Sequence, residues 1–151
     1  MKYTLLSGAL LCAVFFAAAS RGSGQDGGGH LARFEHEGGR QESPETAARL
    51  EKEAAALETE TRAHPENAEL NMKLGFVYTR LRRADDAQRA FENAARLDPK
   101  KASAHYMLGL IYEKKGMRDR AVEAWKACLE NAADPRLRDT AVRHLHHLRA
   151  N

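Results

Sequence analysis

The sequence repeats itself. Slid by 34 residues, Leu74 falls on Leu108, Gly75 on Gly109, Tyr78 on Tyr112, Ala87 on Ala121, Phe91 on Trp125 and Ala94 on Cys128, with Pro65 falling on Pro99 one period earlier. No gap is needed to keep this register. A chain that copies a unit of this length builds one supersecondary element per copy, and each copy leaves an apolar face that the next must cover.

The unit reads as two helices. Leu70, Leu74, Val77, Tyr78 and Leu81 recur at three- and four-residue steps and form one stripe; Ala87, Phe91, Ala94, Ala95 and Leu97 form a second. This predicts helices over 68–81 and 85–97, then over 102–115 and 119–131. Gly75 belongs where the two helices come closest, because a side chain there would hold the backbones apart, and Ala87 reads the same way. Tyr78 and Phe91 then fill the space between the helices. Asn67 is a cap for the first helix, Asp85 falls in the first turn of the second, and Gly116 suits a helix end. Arg82, Arg83, Lys114 and Lys115 lie at the ends of the two first helices, where cations complement the helix dipole.

Two further helices flank the repeats. Ser43-Pro44-Glu45 reads as a helix start, and Leu50, Ala54 and Leu57 stripe the segment 45–63. Pro135 arrives two residues later than Pro99 predicts, which lengthens the last connection. Asp134-Pro135 then opens a helix over 135–149. Leu137, Ala141, Leu145 and Leu148 lie on one of its faces, and Arg136, Arg138, Asp139, Arg143 and His147 on the other.

A leucine-glycine pair, then Tyr, Ala, an aromatic and Pro at fixed offsets resembles the tetratricopeptide repeat (TPR). The likeness covers residues 65–135 closely and 45–149 loosely. It implies an all-α fold: a short TPR solenoid of stacked antiparallel helix pairs, with two full repeats (68–101 and 102–135), flanking N- and C-terminal helices and a capping helix over 135–149, in a domain spanning 44–151. The helix at 45–63 departs from the pattern, since Glu53 and Glu60 stand where the repeat wants Ala, and reads as a degenerate second half of an earlier repeat. His105 stands where the family often has Trp and reads as packing between helices.

The resemblance also implies protein binding. Such proteins hold a peptide or an amphipathic helix of a partner in a concave groove lined by the first helix of each repeat. The groove residues it points to are Met72, Lys73, Phe76 and Arg80, then Tyr106, Met107, Leu110 and Lys114. The family's clamp for C-terminal carboxylates uses Lys and Asn at matching places, and Met72, Phe76, Tyr106 and Leu110 replace them. The groove is therefore expected to be apolar with basic ends. About three repeats are usually needed for stability. So the alternative is a structural homo-oligomer whose groove is filled by self-association, or a groove covered by the chain's own linker.

The N-terminus reads differently. Lys2 precedes an apolar run from Leu5 to Ala19 broken only by Ser7, and Ala17-Ala18-Ala19 closes it before Ser20. A positive start, a short apolar core and a small-residue end resemble a secretory signal peptide over 1–19, cleaved after Ala19. The alternative is an uncleaved membrane anchor, for which the run is short against the ~20 residues of a span. Export, to a bacterial periplasm, is the expected destination, with membrane contact only through an uncleaved leader. Residues 20–43, "SRGSGQDGGG" and "EGGRQES" around the island Leu31-Ala32-Arg33-Phe34, are expected to form a disordered Gly-rich linker. Cleavage would leave Cys128 alone, in a small-residue slot and without a disulfide partner.

The remaining chemistry is sparse. A net charge of +3, mixed in sign along the chain, does not argue for nucleic acid. There is no glycine-rich phosphate loop, paired-cysteine motif or serine nucleophile elbow, so neither an enzyme nor a cofactor is expected. His30 and His36 are flanked by glycine, and His144, His146 and His147 have no acid or thiol close by in sequence, so these read as solvated histidines rather than metal ligands.

Overall fold

The first two described helices begin at residues whose side chains accept from the orphan N–H groups of a helix terminus. A computed structural model describes residues 43–150. The first helix, α1 (Pro44–Ala63), starts where the Ser43 hydroxyl accepts from the Thr46 N–H, with Pro44 in the first turn. The second, α2 (Ala68–Arg80), is capped by the Asn67 side-chain Oδ1, which accepts from Glu69 and Leu70 N–H at 3.0 and 3.2 Å. Then follow α3 (Ala84–Leu97), α4 (Ala102–Lys114), α5 (Arg118–Asn131) and α6 (Pro135–Ala150). The described residues carry no strand.

The two hairpin connections are the same turn. After α2 the Arg83 N–H reaches the Tyr78 carbonyl at 2.9 Å and the Arg82 N–H reaches that of Thr79 at 3.1 Å. After α4 the Met117 N–H reaches the Tyr112 carbonyl at 2.8 Å and the Gly116 N–H that of Glu113 at 2.9 Å. Both are Schellman endings with a left-handed residue at the corner, Arg82 at φ 58° and Gly116 at φ 70°. The longer last connection is closed by Arg138, whose guanidinium donates to the Leu129 carbonyl at 2.9 Å.

Each helix packs chiefly on its neighbours in sequence, α1 on α2, α2 on α3, and so on to α6, with the closest packing inside the α2–α3 and α4–α5 hairpins. The glycines explain that closeness. A Cβ on Gly75 would sit 2.6 Å from Phe91 Cε1, and one on Gly109 would sit 2.6 Å from Trp125 Cε2. Phe91, Trp125, Ala94 and Cys128 have no solvent exposure and anchor one continuous core that runs from Leu50 to Leu145. The fold class is therefore the expected one, an all-α solenoid of stacked helix pairs with a helix at each end. The segments expected to be a leader, 1–19, and a linker, as far as residue 42, lie outside the described residues.

Candidate partner-binding face

The first helices of the two hairpins present equivalent positions on one side. Phe76 on α2 and Leu110 on α4 are 34 residues apart, as are Arg80 and Lys114. Phe76 and Leu110 are half-buried against the core. Phe76 packs edge-on to Phe91, with ring centroids 5.3 Å apart. Lys73 and Lys114 are exposed, and their ammonium groups pair with nothing among the described residues. An ion pair between Lys101, the residue before α4, and Glu69 in the first turn of α2 ties the starts of the two first helices together.

The structure divides the eight residues expected to face a partner. Lys73 and Lys114 are exposed, and Phe76, Arg80 and Leu110 are half-buried. Met72, Tyr106 and Met107 are buried, at 4%, 2% and 2% exposure, and belong to the core cluster. The reason is the position of the first helices: α2 packs on both α1 and α3, and α4 on both α3 and α5. Their buried stripes are therefore wider than that of a surface helix. Tyr106 packs its ring edge-on to Trp125, with centroids 5.4 Å apart.

A second set of side chains recurs with the repeat. The Tyr78 hydroxyl donates to Glu58 on α1 at 2.5 Å, and the Tyr112 hydroxyl donates to Glu92 on α3 at 2.7 Å. Each phenol thus ties a first helix to the helix before it. A guanidinium covers each ring at 4.6 Å, Arg83 over Tyr78 and Arg120 over Tyr112. Burial, reinforced by the hydrogen-bonded carboxylate, pushes both phenols up to about 12. Burial works against ionised Glu92, but hydrogen bonds from Tyr112, Gln88 and Arg120 hold its carboxyl below the usual range. The spacing of Glu58 and Glu92 by one period was the available sequence signal for these ties.

At the far end a third carboxylate plays a related part. Glu113 on α4 accepts from the Trp125 indole N–H and pairs with His144 Nδ1 at 2.9 Å. The His144 ring lies flat on Trp125, with centroids 4.2 Å apart and planes 15° from parallel. The expectation of a solvated His144 is corrected here: an acid does join it, supplied from 31 residues away. His105, half-buried, places Nε2 2.8 Å from the Pro99 carbonyl and so braces the turn before α4.

Two of the four basic residues at the hairpin ends are engaged internally. Arg83 pairs with Asp86 at 2.6 Å and with Glu51 at 3.3 Å, and Lys115 pairs with Asp85 at 2.7 Å. Burial pushes the Cys128 thiol up to about 12, which leaves it an inert, apolar filler. A cleft open to solvent between α1, α2 and α3 is lined by Glu58, Arg62, Asn71, Tyr78, Asp86 and Arg89, residues already engaged with one another or with the backbone. Among the described residues no group of three histidines, cysteines or acids is placed to hold a metal ion, and no helix is long and apolar enough to cross a membrane.

Comparison with known proteins bears on this geometry. The tetratricopeptide repeat family model matches residues 77–135. No curated protein matches the chain. Among solved structures, the chain is similar to one in the crystal structure of PcrH in complex with the chaperone binding region of PopD, with a TM-score of 0.62 and 17% identity over 86% of this chain and 96% of that one. At that identity the likeness concerns the fold. The described helices, with their register-matched Gly–aromatic pairs and Schellman turns, form a short tetratricopeptide-type solenoid.

Proposed function

We propose that this protein is an exported interaction scaffold. It holds a peptide or amphipathic helix of a partner protein along the α2 and α4 face, and it acts by binding rather than by catalysis. The observation that carries the reading is the matched register of Phe76 and Leu110 one period apart, beside exposed Lys73 and Lys114 that pair with nothing among the described residues. Two half-buried apolar side chains at the spacing of the repeat offer two anchor points, and the lysines favour a segment that carries acids. PcrH, whose fold is similar, is crystallised with the chaperone binding region of another protein, which supports the same class of role here. Export to a bacterial periplasm rests on the charged start, apolar run and small-residue end of residues 1–19.

The test is affinity capture from the native envelope fraction with wild-type protein and with Leu110→Asp, checked by Lys73→Glu/Lys114→Glu. Both variants should lose the same partner by tenfold or more while helical circular dichroism is kept. Capture unchanged in both variants would overturn the reading. Concentration-dependent dimers that these substitutions dissolve would replace it with self-association.

A further inference from the structure

We infer that residues 31–37 of this same chain dock on the Phe76 and Leu110 face and compete there with any partner. The inference rests on the preceding reading of that face as a binding site and names its resident competitor. Residues 31–37 lie outside the described residues, so the argument is one of chemistry and reach. Between Ser20 and Ser43 the only large apolar side chains are Leu31 and Phe34, set three residues apart so that one helical turn puts them on one side. Two anchors face two half-buried apolar residues, Phe76 and Leu110. Glu35 and Glu37 follow directly and outnumber Arg33 between the anchors, and the receiving face carries Lys73 and Lys114 with no anionic partner among the described residues. Attraction of this kind steers a weak apolar contact to one register.

The tether is long enough. Glu51 on α1 meets Arg83, just past the end of α2, so the start of α1 overshoots that end by about eight residues, or ~12 Å of helix. Nine residues join Phe34 to Ser43 and span up to ~30 Å when extended. That covers the return and leaves about 18 Å, nearly the ~20 Å length of α2. Glycine at 38 and 39 places no steric bar on a reversal of the tether. A short tether of this kind sets an effective concentration on the order of mM, so a contact too weak to matter between molecules is populated within one. The segment also lies beyond Ala19 and is kept after cleavage there.

The experiment titrates a fluorescently labelled synthetic peptide of residues 29–42 into the full chain, wild type and Leu31→Glu/Phe34→Glu. The peptide should bind the variant with a dissociation constant on the order of mM or below and bind the wild type several-fold more weakly, because the wild-type face already holds its own copy. Adding Lys73→Glu/Lys114→Glu to the variant should weaken the peptide several-fold with the helical signal unchanged. Equal binding to wild type and variant, no binding to the variant, or indifference to the lysine pair overturns the inference. So does a wild-type dimer that Leu31→Glu/Phe34→Glu converts to monomer, since the segment would then dock between copies. A variant that ignores the peptide yet still captures a partner through Leu110 sinks this inference alone. Loss of the Leu110 and lysine effects on partner capture sinks the preceding reading instead.

Discussion

Phe91 and Trp125 hold the same place in consecutive hairpins, and the larger ring has supports that the smaller does without. Phe91 meets Gly75 and is braced by the edge of Phe76. Trp125 meets Gly109 and the edge of Tyr106, and it is also held by the Glu113 carboxylate and the flat ring of His144. The register partner of Glu113 is Thr79, whose hydroxyl turns back on its own helix to the Gly75 carbonyl at 2.8 Å. One slot is thus private to a helix in the first repeat and shared by three helices in the second. The repeat conserves the shape of the hairpin and varies what fastens it to the next element. The second repeat must hold α6, the last helix, and Glu113 with Trp125 and His144 adds a polar tie to the packing of Ala141 and Leu145.

The largest expected break of this comparison is at the glycines. Gly75→Ala and Gly109→Ala each drive a methyl to within 2.6 Å of a buried ring. Overpacking of this sort costs about 1–3 kcal/mol, set by how far the neighbour can give. Phe91 has only packing to lose, whereas Trp125 must also leave Glu113 and His144. Alanine in a helix interior returns about 0.5–1 kcal/mol, so Gly109→Ala should cost about 2 kcal/mol and Gly75→Ala close to nothing. Chemical denaturation midpoints compare them directly. Equal costs would show that Glu113 and His144 do not hold the indole.

A smaller effect separates the two phenol ties by pH. Tyr78 and Tyr112 are both raised from 10.0 to about 12, so the neutral phenol is favoured in the folded chain. A raised value contributes stability that is fully present below pH 10 and lost as pH climbs toward 12. Tyr112→Phe should flatten that alkaline loss and lower stability at neutral pH by about 1 kcal/mol, since Glu92 loses a hydrogen-bond donor. Glu92 keeps Gln88 at 2.8 Å and Arg120 at 3.0 Å, so Tyr112→Phe should cost less at neutral pH than Tyr78→Phe, which removes the hydrogen bond to Glu58. Thermal melts of both variants from pH 7 to 11 read the two effects, and an unchanged alkaline slope in both would refute the linkage.

The hairpins were legible because the sequence signal is local and repeated: each glycine and its aromatic partner lie on adjacent helices at a fixed offset. The ties were not. Tyr78 read as a space-filler and Tyr112 only as its repeat, and their hydroxyl partners sit 20 residues earlier, on the helix of the preceding unit. Glu58 lies in the segment where Glu53 and Glu60 break the repeat pattern, which hid its match with Glu92. His144 read as solvated because both its partners come from other helices. The depth of the residues expected to face a partner was not legible. Helical register groups Met72 with Phe76 and Tyr106 with Leu110, while the burial of Met72, Tyr106 and Met107 depends on how closely α1, α3 and α5 flank the first helices.

The smallest effect lies at the two corners, where the repeats solve one backbone problem with unlike residues. Arg82 and Gly116 occupy the same left-handed position, 34 residues apart, in turns with the same pair of hydrogen bonds. The left-handed conformation crowds a Cβ against the following carbonyl, a cost glycine escapes and arginine bears. Arg82 is exposed, so its side chain has little packing to forfeit. Arg82→Gly should therefore stabilise the chain by about 0.5 kcal/mol, the relief of strain being partly offset by the greater freedom of glycine in the unfolded chain. Gly116→Ala should do the reverse by about 1 kcal/mol, with no steric cost beyond the backbone, because nothing lies within 4 Å of the added methyl. If Arg82→Gly destabilises instead, the arginine side chain is contributing more at that corner than its exposure suggests, and the two turns are alike in backbone only.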